Sequence, residues 1–100
     1  MRKVDRLLLK VQEAERLDIL QLSVAFIEKD PASGKWKAIA DLWDGVPYPK
    51  GRTQRLVMEC DSMEEAQKAV DEVNEVHTPT GKRARAAYTP VVIIDDILED

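Results

Sequence analysis

Reactive equipment is scarce in this chain. Its 100 residues include one cysteine, Cys60, and one histidine, His77. A single cysteine cannot close a disulfide within the chain, so a reducing cytoplasm is the expected home. A single histidine excludes a His–His metal pair. Cys60 and His77 flank one predicted helix, which at about 1.5 Å per residue sets them roughly 20 Å apart, too far for a Cys–His nucleophile pair. No apolar run is long enough to span a bilayer, and the N-terminus is charged and amphipathic, unlike a signal peptide. Positive charge is also short. Fifteen Lys and Arg stand against 19 Asp and Glu, a formal net charge of −4. Nothing pulls the whole molecule toward nucleic acid or an acidic membrane, so such binding would need a local basic patch.

What remains is ordinary globular material. Hydrophobic residues make up 44% and charged residues 34%, which argues against disorder, and the length suits one domain over 1–100. The central stretch is Thr53 to His77. Gln54–Cys60 reads as a strand that turns at Asp61-Ser62 into a helix. Ser62-Met63-Glu64-Glu65 fits a capping box. Met63, Ala66, Ala69, Val70, Val73 and Val76 then share one helical face, and Pro79 stops the helix just past His77.

Before it, residues 3–18 predict a first helix, with Val4, Leu7, Leu8, Val11, Ala14 and Leu17 at helical spacing. Its wide apolar arc needs cover, from its own sheet or from a second copy of the chain. From Leu20 the period changes to two: Leu22, Val24 and Phe26 alternate with Gln21, Ser23 and Ala25. Asp30-Pro31-Ala32-Ser33-Gly34-Lys35 is a turn, followed by a second strand, Trp36–Trp43, to give a hairpin. Ala38, Ala40 and Leu42 offer a helix close approach. The opposite face carries Ile27, Ile39, Trp43 and Val57, for which the first helix or a partner subunit is the expected cover. Gly45–Arg52 and Thr78–Thr89 read as loops. Pro90–Ile94 reads as a strand buried on both faces, parallel to the third strand and placed beside the first in an order 4-1-2-3. Pairing with another chain is its competitor. The expected fold is therefore α+β: helix, three-stranded antiparallel meander, amphipathic helix, fourth strand.

Chemistry finds few candidates. Asp95, Asp96 and Glu99 could offer oxygen ligands to a divalent cation, but no glycine turn organises them. Gly81-Lys82-Arg83 lacks the rest of a P-loop. The serines and threonines have no base at hand. No catalytic, metal or cofactor residue is therefore assigned, no cofactor is expected, and an enzyme is the third-ranked reading.

Basic residues are more suggestive. Lys35, Trp36 and Lys37 on the hairpin, Lys50, Arg52 and Arg55 entering the third strand, and Lys82, Arg83 and Arg85 in the late loop could converge on a nucleic acid, with Trp36 stacking on a base. Gly34-Lys35-Trp36-Lys37-Ala38, a third strand, and then Ser62-Met63-Glu64-Glu65-Ala66 opening a helix resembles the AP2 and integrase-arm DNA-binding domains over residues 23–76. That resemblance implies a three-stranded sheet on one helix, reading DNA with the sheet through Lys35, Trp36, Lys37 and Arg55. Helix, three strands and helix is also similar in order to double-stranded-RNA-binding domains, although the second helix opens on Glu64-Glu65 instead of a basic cluster.

Together these features point first to a small non-enzymatic interaction or assembly module that forms a homodimer, with a different protein partner also possible and no membrane. Leu8, Ile39, Trp43 and Val57 are the self-association candidates. Nucleic-acid binding ranks second.

Overall fold

A computed structural model describes residues 1–82 and 91–94. Its elements run α1 (Lys3–Leu17), β1 (Gln21–Lys29), β2 (Trp36–Trp43), β3 (Thr53–Cys60), α2 (Met63–Val76) and β4 (Val91–Ile93). The α+β order is the expected one. The sheet is four-stranded in the order β1-β2-β3-β4, antiparallel as far as β3, with β4 parallel to β3. The fourth strand therefore lies beside the third and not beside the first. It is also short, three residues, and not doubly buried: Val91 is 51% and Ile93 39% exposed.

Local chemistry explains each element. Ser62 caps α2, its Oγ accepting from Glu65 N–H at 3.1 Å. Glu65 does not return to the cap residue. It reaches one further back and accepts from Asp61 N–H at 2.7 Å. At the other helix start, Asp5 accepts from Arg2 N–H at 3.1 Å, and Arg2 also meets Glu72 at 3.1 Å, joining α1 to α2. The helices close at their far ends through His77 Nδ1, 2.8 Å from Glu15 Oε1.

Both helices pack on the same face of the sheet. Val4, Leu7, Val11 and Ala14 of α1 and Ala66, Ala69, Val70 and Val73 of α2 share one core with Leu22, Ala38, Ala40, Leu42, Leu56, Met58, Cys60 and Ile94. The expectation that α1 would cover the second face is thus overturned. The alanines explain why: with so little side chain on β2, α2 settles close over β2 and β1, and space remains on the same side for α1.

A β-bulge changes the first strand. Leu22 pairs with Leu42, but Val24 pairs with Asp41, so Ser23 is the extra residue. One inserted residue exchanges the faces. Ala25 and Ile27 therefore join the helix side, while Val24 and Phe26 turn to the outer side beside Asp41 and Ile39. Ile27, expected on the outer face, is not there. The bulge is pinned from outside: Thr80 N–H donates to Leu22 O at 3.0 Å, Gly81 N–H to Ser23 O at 2.9 Å, and Ser23 Oγ to Lys82 O. That contact blunts the sheet edge where β1 begins.

The β2–β3 loop is built around a close approach. Asp44 Oδ1 accepts from Val46 N–H at 2.9 Å, and Trp43 Nε1 donates to Val46 O at 2.8 Å. A Cβ on Gly51 would overlap Val46 O and come within 2.8 Å of Trp43 Nε1. Gly51→Ala should therefore lower stability by about 1–3 kcal/mol, the usual cost of overpacking, as read from the urea midpoint. A neutral result would mean the loop yields freely. The backbone N–H of Val46 holds the Asp44 carboxyl below its ordinary value, and Ala32 N–H does the same for Asp30, as the Arg2 side chain does for Asp5. These depressed values stabilise the fold above the unfolded pKa, and that contribution is lost as pH falls through the folded values. Urea midpoints should hold down to about pH 4 and drop below it, with a shallower drop in Asp44→Ala.

Candidate functional site

The outer face of the sheet, on which no helix of the described residues packs, carries two ordered rows. Pairing sets Phe26, Ile39, Val57 and Ile93 in line across all four strands, and Val24, Asp41, Arg55 and Val91 in the row beside it. Ile39 and Val57 are buried at the centre, and Val91 and Ile93 are open at the β4 margin. Within the second row Asp41 is fully buried and takes a two-pronged ion pair from Arg55, at 2.7 Å from Nε and 2.9 Å from Nη2. The Arg55 guanidinium also lies 5.6 Å from the Phe26 ring centroid. A planar fork suits both the carboxylate and the aromatic face, which lets one charge pair sit among apolar side chains.

The candidates for self-association divide accordingly. Ile39 and Val57 are direct partners on this face. Trp43 lies on the same face at the strand end, held in the β2–β3 loop. Leu8 is on the other side of the sheet, packed against the helix-side core.

Basic candidates are scattered. Trp36 packs toward the helix-side core while Lys37 projects from the opposite face, 3.7 Å from Asp30. The two cannot form one stacking platform. Lys35 is exposed at the hairpin; Lys50 and Arg52 are exposed in the β2–β3 loop. Those loops lie at opposite ends of β2, roughly 23 Å apart at about 3.3 Å per residue. Arg52 is engaged by Asp18 O and lies 3.8 Å from Asp44, and Arg55 is committed to Asp41. Lys82 is exposed beside the bulge. Arg83 and Arg85 lie outside the described residues, as do most of the Thr78–Thr89 loop and the Asp95, Asp96 and Glu99 cluster.

Nucleophilic and metal chemistry have little to work with among the described residues. Burial pushes the Cys60 thiol up to about 11. No group of three or more His, Cys, Asp and Glu is placed to hold a metal ion there. His77 is bound to Glu15, 62 residues away along the chain, a pairing that no local motif indicates. A hollow of about 330 Å³ between the start of α1 and α2 is lined by Arg2, Lys3, Lys68, Asp61, Glu65 and Glu72. Its charges balance, and Arg2 is already paired with Glu72. No described helix is long and apolar enough to cross a membrane. Protein-family models, curated proteins and solved structures yield no match to this chain. No resemblance to AP2 or integrase-arm domains is thereby shown.

Two outcomes follow from these environments. Cys60 should resist a maleimide at pH 7.5 in the native state and react quickly once the chain is unfolded in urea. Arg55→Leu leaves the Asp41 carboxylate buried and alone, and should cost about 3–5 kcal/mol by urea denaturation, more than Asp41→Leu and Arg55→Leu together. Additive single and double variants would show that Asp41 and Arg55 do not stabilise each other.

Proposed function

We propose that this chain is a small non-enzymatic assembly module whose outer sheet face joins a second copy. The supporting observation is the Phe26–Ile39–Val57–Ile93 row. An apolar line crosses the full sheet, and both described helices are on the other side. Ile39 and Val57 are already buried, so the gain on association comes from half-buried Phe26 and exposed Val91 and Ile93, at about 25 cal/mol per Å² of apolar surface removed from water. The Asp41–Arg55 pair gives the face a fixed polar mark, which favours one docking geometry over sliding contacts. An edge-to-edge route is less favoured, because β4 is only three residues long and the start of β1 is occupied by Thr80–Lys82. A nucleic-acid surface is less favoured too. Among the described residues the basic candidates lie at both ends of the sheet, and Lys37, Arg52 and Arg55 already lie near carboxylates.

Sedimentation equilibrium tests the reading. The mass should rise with concentration toward twice the 11.3 kDa chain. Val91→Glu with Ile93→Glu changes only side chains already exposed, and should return the mass to the monomer without lowering the melting temperature. Leu9→Glu on the exposed side of α1 should leave association intact. Added salt should not weaken it, whereas a phosphate-binding surface would lose affinity steeply. A mass that stays monomeric at millimolar concentration would overturn the proposal.

A further inference from the structure

The bulge and the β2–β3 loop border an open hollow of about 420 Å³, lined by Gln21, Trp43, Gly45, Thr80 and Lys82 among the described residues. Its size falls within the range of small-molecule sites, roughly 300–1,000 Å³. Each wall is braced. The indole of Trp43 is fixed by its bond to Val46 O and by the close backbone at Gly51. Opposite it, Thr80–Lys82 is tied to β1 by three hydrogen bonds, to Leu22 O, to Ser23 O and from Ser23 Oγ. The bulge creates this arrangement, since the extra residue Ser23 supplies both the carbonyl and the hydroxyl that hold the segment in place.

The lining chemistry is selective. Lys82 is exposed, and among the described residues no carboxylate pairs with its ammonium. Gln21 brings an exposed amide to the same rim. An aromatic side chain, a cation and an amide thus line one hollow, with no acidic side chain among the described residues of its lining.

We propose that this hollow binds a small planar ligand bearing an anionic group, its ring against the Trp43 indole and its anion on the Lys82 ammonium. Aromatic stacking supplies the area and the charge sets the orientation. Carboxylate and phosphate satisfy the same cation, so ligands of either kind share this chemistry. Trp43 shares the outer face with the Phe26–Ile39–Val57–Ile93 row but lies outside that row, at the end of β2, so the site is tested on the monomer.

The test follows the two indole N–H signals by NMR on the full chain, kept dilute enough to be monomeric, while indole-3-acetate or AMP is added. Trp36 is the internal control, at the far end of β2 and on the other face. A saturable shift of the Trp43 signal with a static Trp36 signal is expected with at least one probe, and which probe works identifies the anion. Lys82→Gln should raise the dissociation constant about tenfold or more, the usual worth of a charge-assisted hydrogen bond, whereas Lys35→Gln at the far hairpin should leave it unchanged. Neither variant alters a buried side chain, so a folding defect should not cloud the result. The proposal is overturned if neither probe shifts Trp43, if Lys82→Gln binds as well, or if uncharged indole binds as tightly as indole-3-acetate.

Discussion

The architecture depends on how little side chain β2 presents to α2. Ala38 and Ala40 are fully buried beneath a helix that contributes Ala66 and Ala69 to the same core. Four methyl groups where four larger side chains could stand bring helix and sheet together. Packing at interior density then leaves room for α1 on that side, where it reaches β3 and β1. The consequence lies on the reverse of the sheet. With both helices gathered on one face, the apolar residues of the other find no helical cover among the described residues. The outer row is in this sense a product of the alanines. Larger residues at 38 and 40 would push α2 outward and alter where α1 could lie.

Ser23 is the second determinant. Without the bulge, strict alternation would place Val24 and Phe26 with Leu22 under the helices and leave Ala25 and Ile27 outside. With it, Ile27 enters the helix-side core and Phe26 moves out, where it completes the cross-strand row and faces the Arg55 guanidinium. The same residue anchors Lys82 through its hydroxyl. One inserted residue thus decides what both faces display and builds a wall of the hollow beside Trp43.

These two determinants also explain what the sequence made legible. The α2 cap was readable because a hydroxyl and a glutamate sit at fixed offsets, and the hairpin because Asp30, Pro31 and Gly34 have local conformational reasons to be there. Ala38, Ala40 and Leu42 announced a helix-packed face by their size. Local signals could not say which face α1 would take, since its apolar arc suits any greasy surface. They could not place β4 either: a crossover helix permits a parallel neighbour on either side of the meander. The bulge was hidden because Leu22, Val24 and Phe26 alternate so cleanly that a slip looks unnecessary. In the structure Ser23 is a polar residue only 1% exposed, and its hydroxyl is satisfied by Lys82 O, a partner that nothing in the local sequence indicates. Among site residues, the sequence marks Arg55 by its charge and by the resemblance to sheet-reading DNA-binding domains, and neither points to Asp41. Its commitment to Asp41 depends on register, which places the two opposite each other only once the strands are paired.

Register also bears on why the charge pair persists on an apolar face. A buried Asp–Arg pair gains little over well-packed aliphatic residues of similar volume, because removing both charges from water offsets most of their attraction. Its value is better sought in what it forbids. A flat row of isoleucine, valine and phenylalanine can slide against another such row with little change in energy. A fixed carboxylate–guanidinium pair beside that row penalises every alignment that sets it against bare hydrocarbon. The outer face therefore combines a nonspecific attraction with a specific constraint, both carried by the paired strands β2 and β3 at the centre of the sheet.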